Sequence, residues 1–179
     1  MNTREHTAMK MRGNPDISYL GHTVDQMIWS FMEQEKIDGL TLAIVQAPYI
    51  PRVAGYGYSD SQRRRLASPN TMWPAGPISQ AFAAVAVMQL HEDGGLDVNR
   101  RASVYIPELP DTWNDITVLQ LLRHASGLPD YRRAAEFSPD TPWTFDALLQ
   151  LAARNPLHFV PGTEVEQSAT NFLLLTEIV

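Results

Sequence analysis

Gly76-Pro77-Ile78-Ser79-Gln80-Ala81-Phe82-Ala83-Ala84-Val85-Ala86-Val87-Met88-Gln89-Leu90, closed by Gly94-Gly95, is the stretch on which the reading of this chain turns. Pro77 suits the first helical position, because its missing N–H would have no partner there in any case. From Ala81 to Met88 every residue is apolar, so the predicted helix has no polar face through its middle. A helix of that kind is expected to be buried all round. Gly94 or Gly95 supplies the left-handed residue that commonly ends a helix. A buried helix that starts in a tight glycine turn is a common mount for a nucleophile. A plain core helix reads the same on pattern alone.

The neighbouring segments narrow the choice. Thr71-Met72-Trp73-Pro74-Ala75-Gly76 leads into the helix, and Gly94-Gly95-Leu96-Asp97-Val98 leaves it, followed by Tyr105-Ile106-Pro107-Glu108-Leu109-Pro110. Ile116-Thr117-Val118-Leu119-Gln120-Leu121-Leu122-Arg123-His124-Ala125-Ser126-Gly127-Leu128-Pro129-Asp130-Tyr131 comes next, then Pro161-Gly162-Thr163 with Ser168 and Asn171-Phe172. Taken in order, Ile37 to Val179 resembles the serine β-lactamase and penicillin-binding-protein-like family, most closely its class C and esterase-type branch. The resemblance implies an α/β fold of the α+β type, the N-terminal part of the β-lactamase/transpeptidase-like fold. That fold is an antiparallel sheet with packed helices and a helical subdomain from about Leu96.

The resemblance also implies a catalytic layout. The family mounts Ser-x-x-Lys at the start of the central helix, and a spacing of three puts both side chains on one face. The lysine takes the serine proton, and the helix N-terminus favours the developing negative charge. Alignment on Gly76 and Phe82 places Pro77 at the serine position and Gln80 at the lysine position. Pro77 has no hydroxyl, and it lacks the N–H that in the family forms half of the oxyanion hole. Losing one such donor typically costs about 10²–10³ in rate. The family's second element, Tyr-x-Asn, falls on Gln167-Ser168-Ala169, so Gln167 and Ala169 replace both functional residues. A third element, a Lys/His-Thr/Ser-Gly strand, is expected well beyond Val179.

Lys10 and Lys36 are the chain's lysines, and Thr7 and Glu33 precede them by three, so Ser-x-x-Lys does not occur. Gly76 to Gln80 also fails the G-x-S-x-G elbow. The fallback nucleophiles are Ser79 and Ser126, the latter beside His124, although the His124–Ser126 pair also reads as a structural loop ending a helix. Glu166 with Gln167 is a weaker candidate for lining a cleft. His6, His22, His91 and His158 show no ligand spacing, so neither a metal nor another cofactor is expected. With no cysteine there is no thiol nucleophile or disulfide.

The bulk properties are those of a globular chain, with 179 residues, 44% hydrophobic and 19% charged. A net charge of −6 argues against nucleic acid and anionic membrane surfaces as partners. Arg63-Arg64-Arg65 reads as a solvated loop. Residues 1–15 read as a flexible polar tail without the apolar run of about 7–15 residues that a secretory signal needs. No apolar run reaches the roughly 18 residues of a membrane span either, so the expected location is cytoplasmic.

The remaining 16–179 is read as one truncated β-lactamase-like domain. Within it, 24–58 holds a helix and two strands, 76–95 the central helix, and 96–179 a mainly helical part. The helix is predicted over Val24 to Glu35, with Met27, Ile28, Phe31 and Met32 on one face. The strands are predicted over Gly39 to Val45 and Arg52 to Tyr58, joined by a turn around Pro48 to Pro51. Thr117 is expected to cap a helix through His124, Thr144 one over Phe145 to Arg154, and a last helix starts near Thr170.

The function expected from this reading is a degenerate, catalytically silent family member. It is either truncated or a binding or scaffolding remnant, whose cleft could take a small molecule. Two alternatives stand beside it. One is an active serine ester or amide hydrolase with a site rebuilt from Ser79 or Ser126 with His124. The other is one half of a split hydrolase, self-associating or completed by another chain along the sheet edge.

Overall fold

The structure, a computed structural model, describes residues 10–14, 16–46 and 49–179. The chain divides into two compact units, Met1–Pro74 and Ala75–Val179. Each unit is built around its own apolar core.

In the first unit, Thr23 caps α1 (Val24–Glu35): its hydroxyl oxygen accepts the Gln26 N–H while the Gln26 side chain accepts the Thr23 N–H. This reciprocal box satisfies two donors that a helix start leaves without partners. The helix spans the predicted residues, and Lys36 ends it in the left-handed conformation at φ 56°. Met32 is buried and Ile28 packs on the core, whereas Met27 and Phe31 stay exposed. The sheet is antiparallel, in the order β1 (Lys10–Gly13), β5 (Tyr49–Asp60), β4 (Gly39–Gln46), with β6 (Arg65–Leu66) also paired to β5. β2 (Ser18–Tyr19) and β3 (His22–Thr23) form a separate two-stranded ladder.

Three sequence expectations need correcting here. The expected flexible tail contains β1, whose Lys10 to Gly13 pair with Gly55 to Arg52 and are held there by ladder hydrogen bonds. Met1 to Met9 and Pro15 lie outside the described residues. The sheet holds more than the two expected strands, because β5 offers one edge to both β1 and β6. Of the hairpin turn expected around Pro48 to Pro51, positions 49–51 belong instead to β5, which begins at Tyr49; positions 47–48 lie outside the described residues. Pro51 is accommodated because the β4–β5 register shifts between Ile44 and Gln46, and a bulge tolerates a missing N–H.

Gly39 and Gly57 face each other across β4 and β5. A Cβ on Gly39 would lie 2.0 Å from the Tyr58 carbonyl oxygen, and one on Gly57 would lie 2.1 Å from that of Asp38. The Tyr58 N–H donates to the Asp38 carbonyl at 2.8 Å, which is what draws the two backbones so close.

Under the sheet, Met32, Ala54 and Tyr56 form the core, with the Trp29 ring edge-on to Tyr56 at 5.7 Å. A charged cluster ties α1 to β5. Arg52, 1% exposed, is ion-paired with Asp25 and donates to the Tyr56 hydroxyl at 3.2 Å. The Tyr56 hydroxyl in turn donates to Asp25 Oδ1 at 2.7 Å. Burial pushes the Tyr56 phenol well above its ordinary range, the bond to Asp25 adds to this, and the Arg52 charge opposes it.

In the second unit a 3-10 turn (Gly76–Ile78) with Pro77 in its first turn leads into α2 (Ser79–Glu92). Gly94, at φ 76°, is the left-handed residue after it. The expectation of burial all round is corrected. Only Val87 of α2 is fully buried, while Ile78, Phe82, Val85 and Met88 are 69%, 73%, 58% and 39% exposed. The helix packs on α5 along one side, and its opposite stripe faces solvent.

Thr117 caps α3 (Val118–Leu122) through a second reciprocal box with Gln120. The helix stops short of the expected His124 because His124 turns to φ 54°, which no α-helix continues. Thr144 caps α4 (Phe145–Ala153), and Ser168 caps α5 (Ala169–Ile178), both close to the predicted spans. Val87, Trp113, Ile116, Leu121, Leu149 and Leu174 anchor the core that these helices share. Among the described residues no helix is long and apolar enough to cross a membrane.

Candidate active site

Within the second unit a cleft of about 330 Å³ opens where the start of α2 approaches α5. Gly76, Pro77 and Gln80 line it from one side, Ala169, Phe172, Leu173 and Thr176 from α5, and Tyr131 and Arg132 from the 3-10 turn at Tyr131–Arg133. The structure therefore brings together three of the four positions at which the resemblance expects catalytic groups: Pro77, Gln80 and Ala169. Gln167 is exposed and does not line the cleft. Ser79 is exposed on the first turn of α2, also outside the lining. Glu166 instead accepts from His158 Nδ1 at 2.7 Å and from Arg133 Nη1 at 2.9 Å. Those bonds, with the His158 bond the larger influence, hold its carboxyl below the ordinary range.

Behind the cleft, the loop from His124 to Pro129 is stitched to the following segment by its main chain. Gly127 accepts from His158 N at 2.8 Å, Ala125 from Gly162 N at 2.7 Å, and His124 from Glu166 N at 3.0 Å. Asn171 closes the side-chain part of this network. Its Oδ1 accepts the Ser126 hydroxyl, and its Nδ2 donates to His124 Nδ1 at 2.9 Å. Ser168 N also points at His124 Nδ1, at 3.4 Å. A ring nitrogen that accepts carries no proton, so this arrangement requires neutral His124 with its proton on Nε2. Burial lowers the His124 pKa in the same sense, while the Asp130 charge pulls it partly back.

This settles what Ser126 and His124 contact. The Ser126 hydroxyl is 1% exposed and donates to Asn171 rather than to His124, and it also accepts from Leu128 N at 3.1 Å. A nucleophile and its base must share a hydrogen bond and be reachable. Neither condition holds for this pair.

The sequence marks Asn171 only as part of a family motif, and neither Asp130 nor Arg132 as a site residue. Asp130, 8% exposed, accepts from Arg132 N at 2.9 Å, from Arg132 Nε at 3.0 Å and from Nη2 at 2.6 Å. Burial raises the Asp130 pKa, but these bonds and one from the Ala169 N–H outweigh it, leaving the carboxyl below its ordinary range. Its spacing two residues ahead of Arg132 is the sequence signal that could have found the pair, since an aspartate there caps a turn through the i+2 N–H. Among the described residues no group of three or more His, Cys, Asp or Glu side chains is placed to hold a metal.

A helix carrying the site at its start, a facing helix and a stitched loop between them define the helical half of a serine-hydrolase-type fold. The chain belongs to the Beta-lactamase family, whose sequence model matches residues 24–179. It is 28% identical over 160 residues to Protein flp of Staphylococcus aureus (strain N315), covering 87% of this chain and 32% of that protein. Among solved structures it is similar to a D-amino acid amidase from Ochrobactrum anthropi SV3, with a TM-score of 0.69 at 23% identity, covering 84% of this chain and 42% of that one. A class C beta-lactamase matches with a TM-score of 0.65 at 26% identity, covering 87% and 42%. The chain thus spans about a third of the length of the curated relative and corresponds to the N-terminal part of the family fold.

Proposed function

We propose that this chain is a catalytically silent member of its family that keeps the cleft as a binding surface. The observation that supports this is the set of residues at the cleft's reacting positions: Pro77, Gln80 and Ala169. Pro77 supplies neither a hydroxyl to attack nor an N–H to stabilise an oxyanion, and Gln80 accepts no proton at any working pH. The rebuilt-site alternative lacks support, because Ser126 and His124 are both engaged by Asn171. Incubation with a fluorophosphonate and with a fluorescent penicillin is expected to leave the intact mass unchanged. A stoichiometric adduct mapped to Ser79 or Ser126 would overturn the reading.

The exposed stripe of α2 favours a second reading, in which copies of the chain associate. Ile78, Phe82, Val85 and Met88 lie along one side of the helix, and apolar side chains so arranged gain free energy by leaving water. Native mass spectrometry at micromolar concentration is expected to show a dimer or larger species. A monodisperse monomer sinks this second reading and leaves the first untouched.

A further inference from the structure

Arg132 is the one charged residue among those lining the cleft. Its guanidinium is not free to wander: Nε donates to both Asp130 oxygens at 3.0 and 3.2 Å, and Nη2 to Oδ2 at 2.6 Å. Asp130 is itself fixed by burial and by the backbone N–H groups of Arg132 and Ala169. Among the described residues Nη1 has no hydrogen-bond partner, nor has the side-chain amide of Gln80. The cleft therefore presents a pinned guanidinium with one nitrogen to spare, and its ordering entropy is already spent in folding rather than in binding.

We propose that this cleft binds a small carboxylate with an aromatic or apolar body, with Arg132 Nη1 and the Gln80 amide as the donors to its two oxygens. The proposal rests on the reading of the cleft as a non-catalytic binding site. Two neutral-to-cationic donors match a carboxylate's two oxygens. A phosphate dianion would bring a second negative charge toward Asp130, which already takes up much of the Arg132 charge. Apart from Thr176, the remaining side chains of the lining are apolar or aromatic: Pro77, Ala169, Leu173, Phe172 and Tyr131. A volume of about 330 Å³ is at the small end for ligand sites, which suits a single ring with a short acidic arm.

The test is a titration of the ¹⁵N-labelled chain with phenylacetate and with phenylacetamide, its neutral near-isostere, followed by amide chemical shifts. Phenylacetate is expected to give saturable shifts at Gln80, Arg132 and Phe172, and phenylacetamide to bind about tenfold or more weakly, the loss of one charge-assisted hydrogen bond. Arg132→Gln is expected to weaken phenylacetate by a similar factor and to abolish the preference for the acid. Because Arg132→Gln leaves the buried Asp130 without its cation, Asp130→Asn with Arg132→Gln serves as the comparison if the single variant loses its dispersed spectrum. Absence of saturable shifts, equal affinity for acid and amide, or undiminished phenylacetate binding in the folded variant would each overturn the proposal. None of these results bears on covalent labelling, and an acyl adduct would sink the non-catalytic reading while leaving the carboxylate titration to stand or fall by itself.

Discussion

Asn171→Leu lowers the stability of the second unit by about 1–3 kcal/mol, the expected result of leaving the buried Ser126 hydroxyl proton without its acceptor. The change also takes the Asn171 amide from the half-buried His124 Nδ1, which keeps the Ser168 N–H at 3.4 Å. Leucine keeps the same branched skeleton of side-chain heavy atoms, so the change reads the hydrogen bonds rather than a cavity. Urea unfolding at pH 7 measures it as a drop in midpoint at unchanged slope. A loss below about 1 kcal/mol would mean that the network is cosmetic. The same network makes stability depend on pH. The folded His124 pKa lies below its ordinary value, so on acidification the unfolded chain takes up a proton that the folded chain refuses. The stabilisation is complete above about pH 6.5, the unfolded value, and is lost as the pH falls toward the depressed folded value. His124→Asn removes that slope, leaving the carboxylate-linked losses of Asp130 and Glu166 at lower pH.

Asp25→Ala is the second large effect, expected to cost the first unit about 3 kcal/mol. It removes the carboxylate that pairs with the Arg52 guanidinium, whose side chain is 0% exposed, and with it the acceptor of the Tyr56 hydroxyl. Breaking a buried pair at one partner costs roughly 3–5 kcal/mol, and the 26% exposure of the Asp25 side chain puts this case at the low end. Replacing both members, Asp25→Asn with Arg52→Met, is expected to recover at least half of the loss, because no buried charge remains. Urea unfolding of Asp25→Asn, Arg52→Met and the double variant beside the parent closes the cycle that checks it. A double variant as unstable as Asp25→Ala would refute the electrostatic account.

Local signals carried much of the fold. The apolar face of α1 and the capping threonines at Thr117 and Thr144 sit in the sequence as nearest-neighbour patterns, and their helices lie where those patterns place them. β1 was illegible because Lys10-Met11-Arg12-Gly13 holds a single apolar residue, too few to mark a strand; it is a strand because β5 has an edge to pair with. The early end of α3 depends on one backbone angle, at His124, that no side-chain pattern announces. The apolar run of α2 was legible, but its burial was not, because periodicity shows which faces are greasy and not how many are covered. For the site, Pro77, Gln80 and Ala169 could be placed from their motifs. Arg132 could not, since its role depends on Asp130 fixing its direction and on α5 arriving from 37 residues further along to supply the facing wall at Ala169.

The facing pair Gly39 and Gly57 restricts which other sequences could share this hairpin. A Cβ built on either glycine would lie 2.0 or 2.1 Å from a backbone carbonyl oxygen across the hairpin. Backbone cannot rotate aside as a side chain does, so shrinking a neighbour offers no rescue for either position. The usual route by which proteins drift, a disruptive change followed by a compensating one nearby, is closed at this crossing. A library that randomises Gly39 and Gly57 together should therefore return the parental pair from selection for folding, however freely the surrounding strand positions vary.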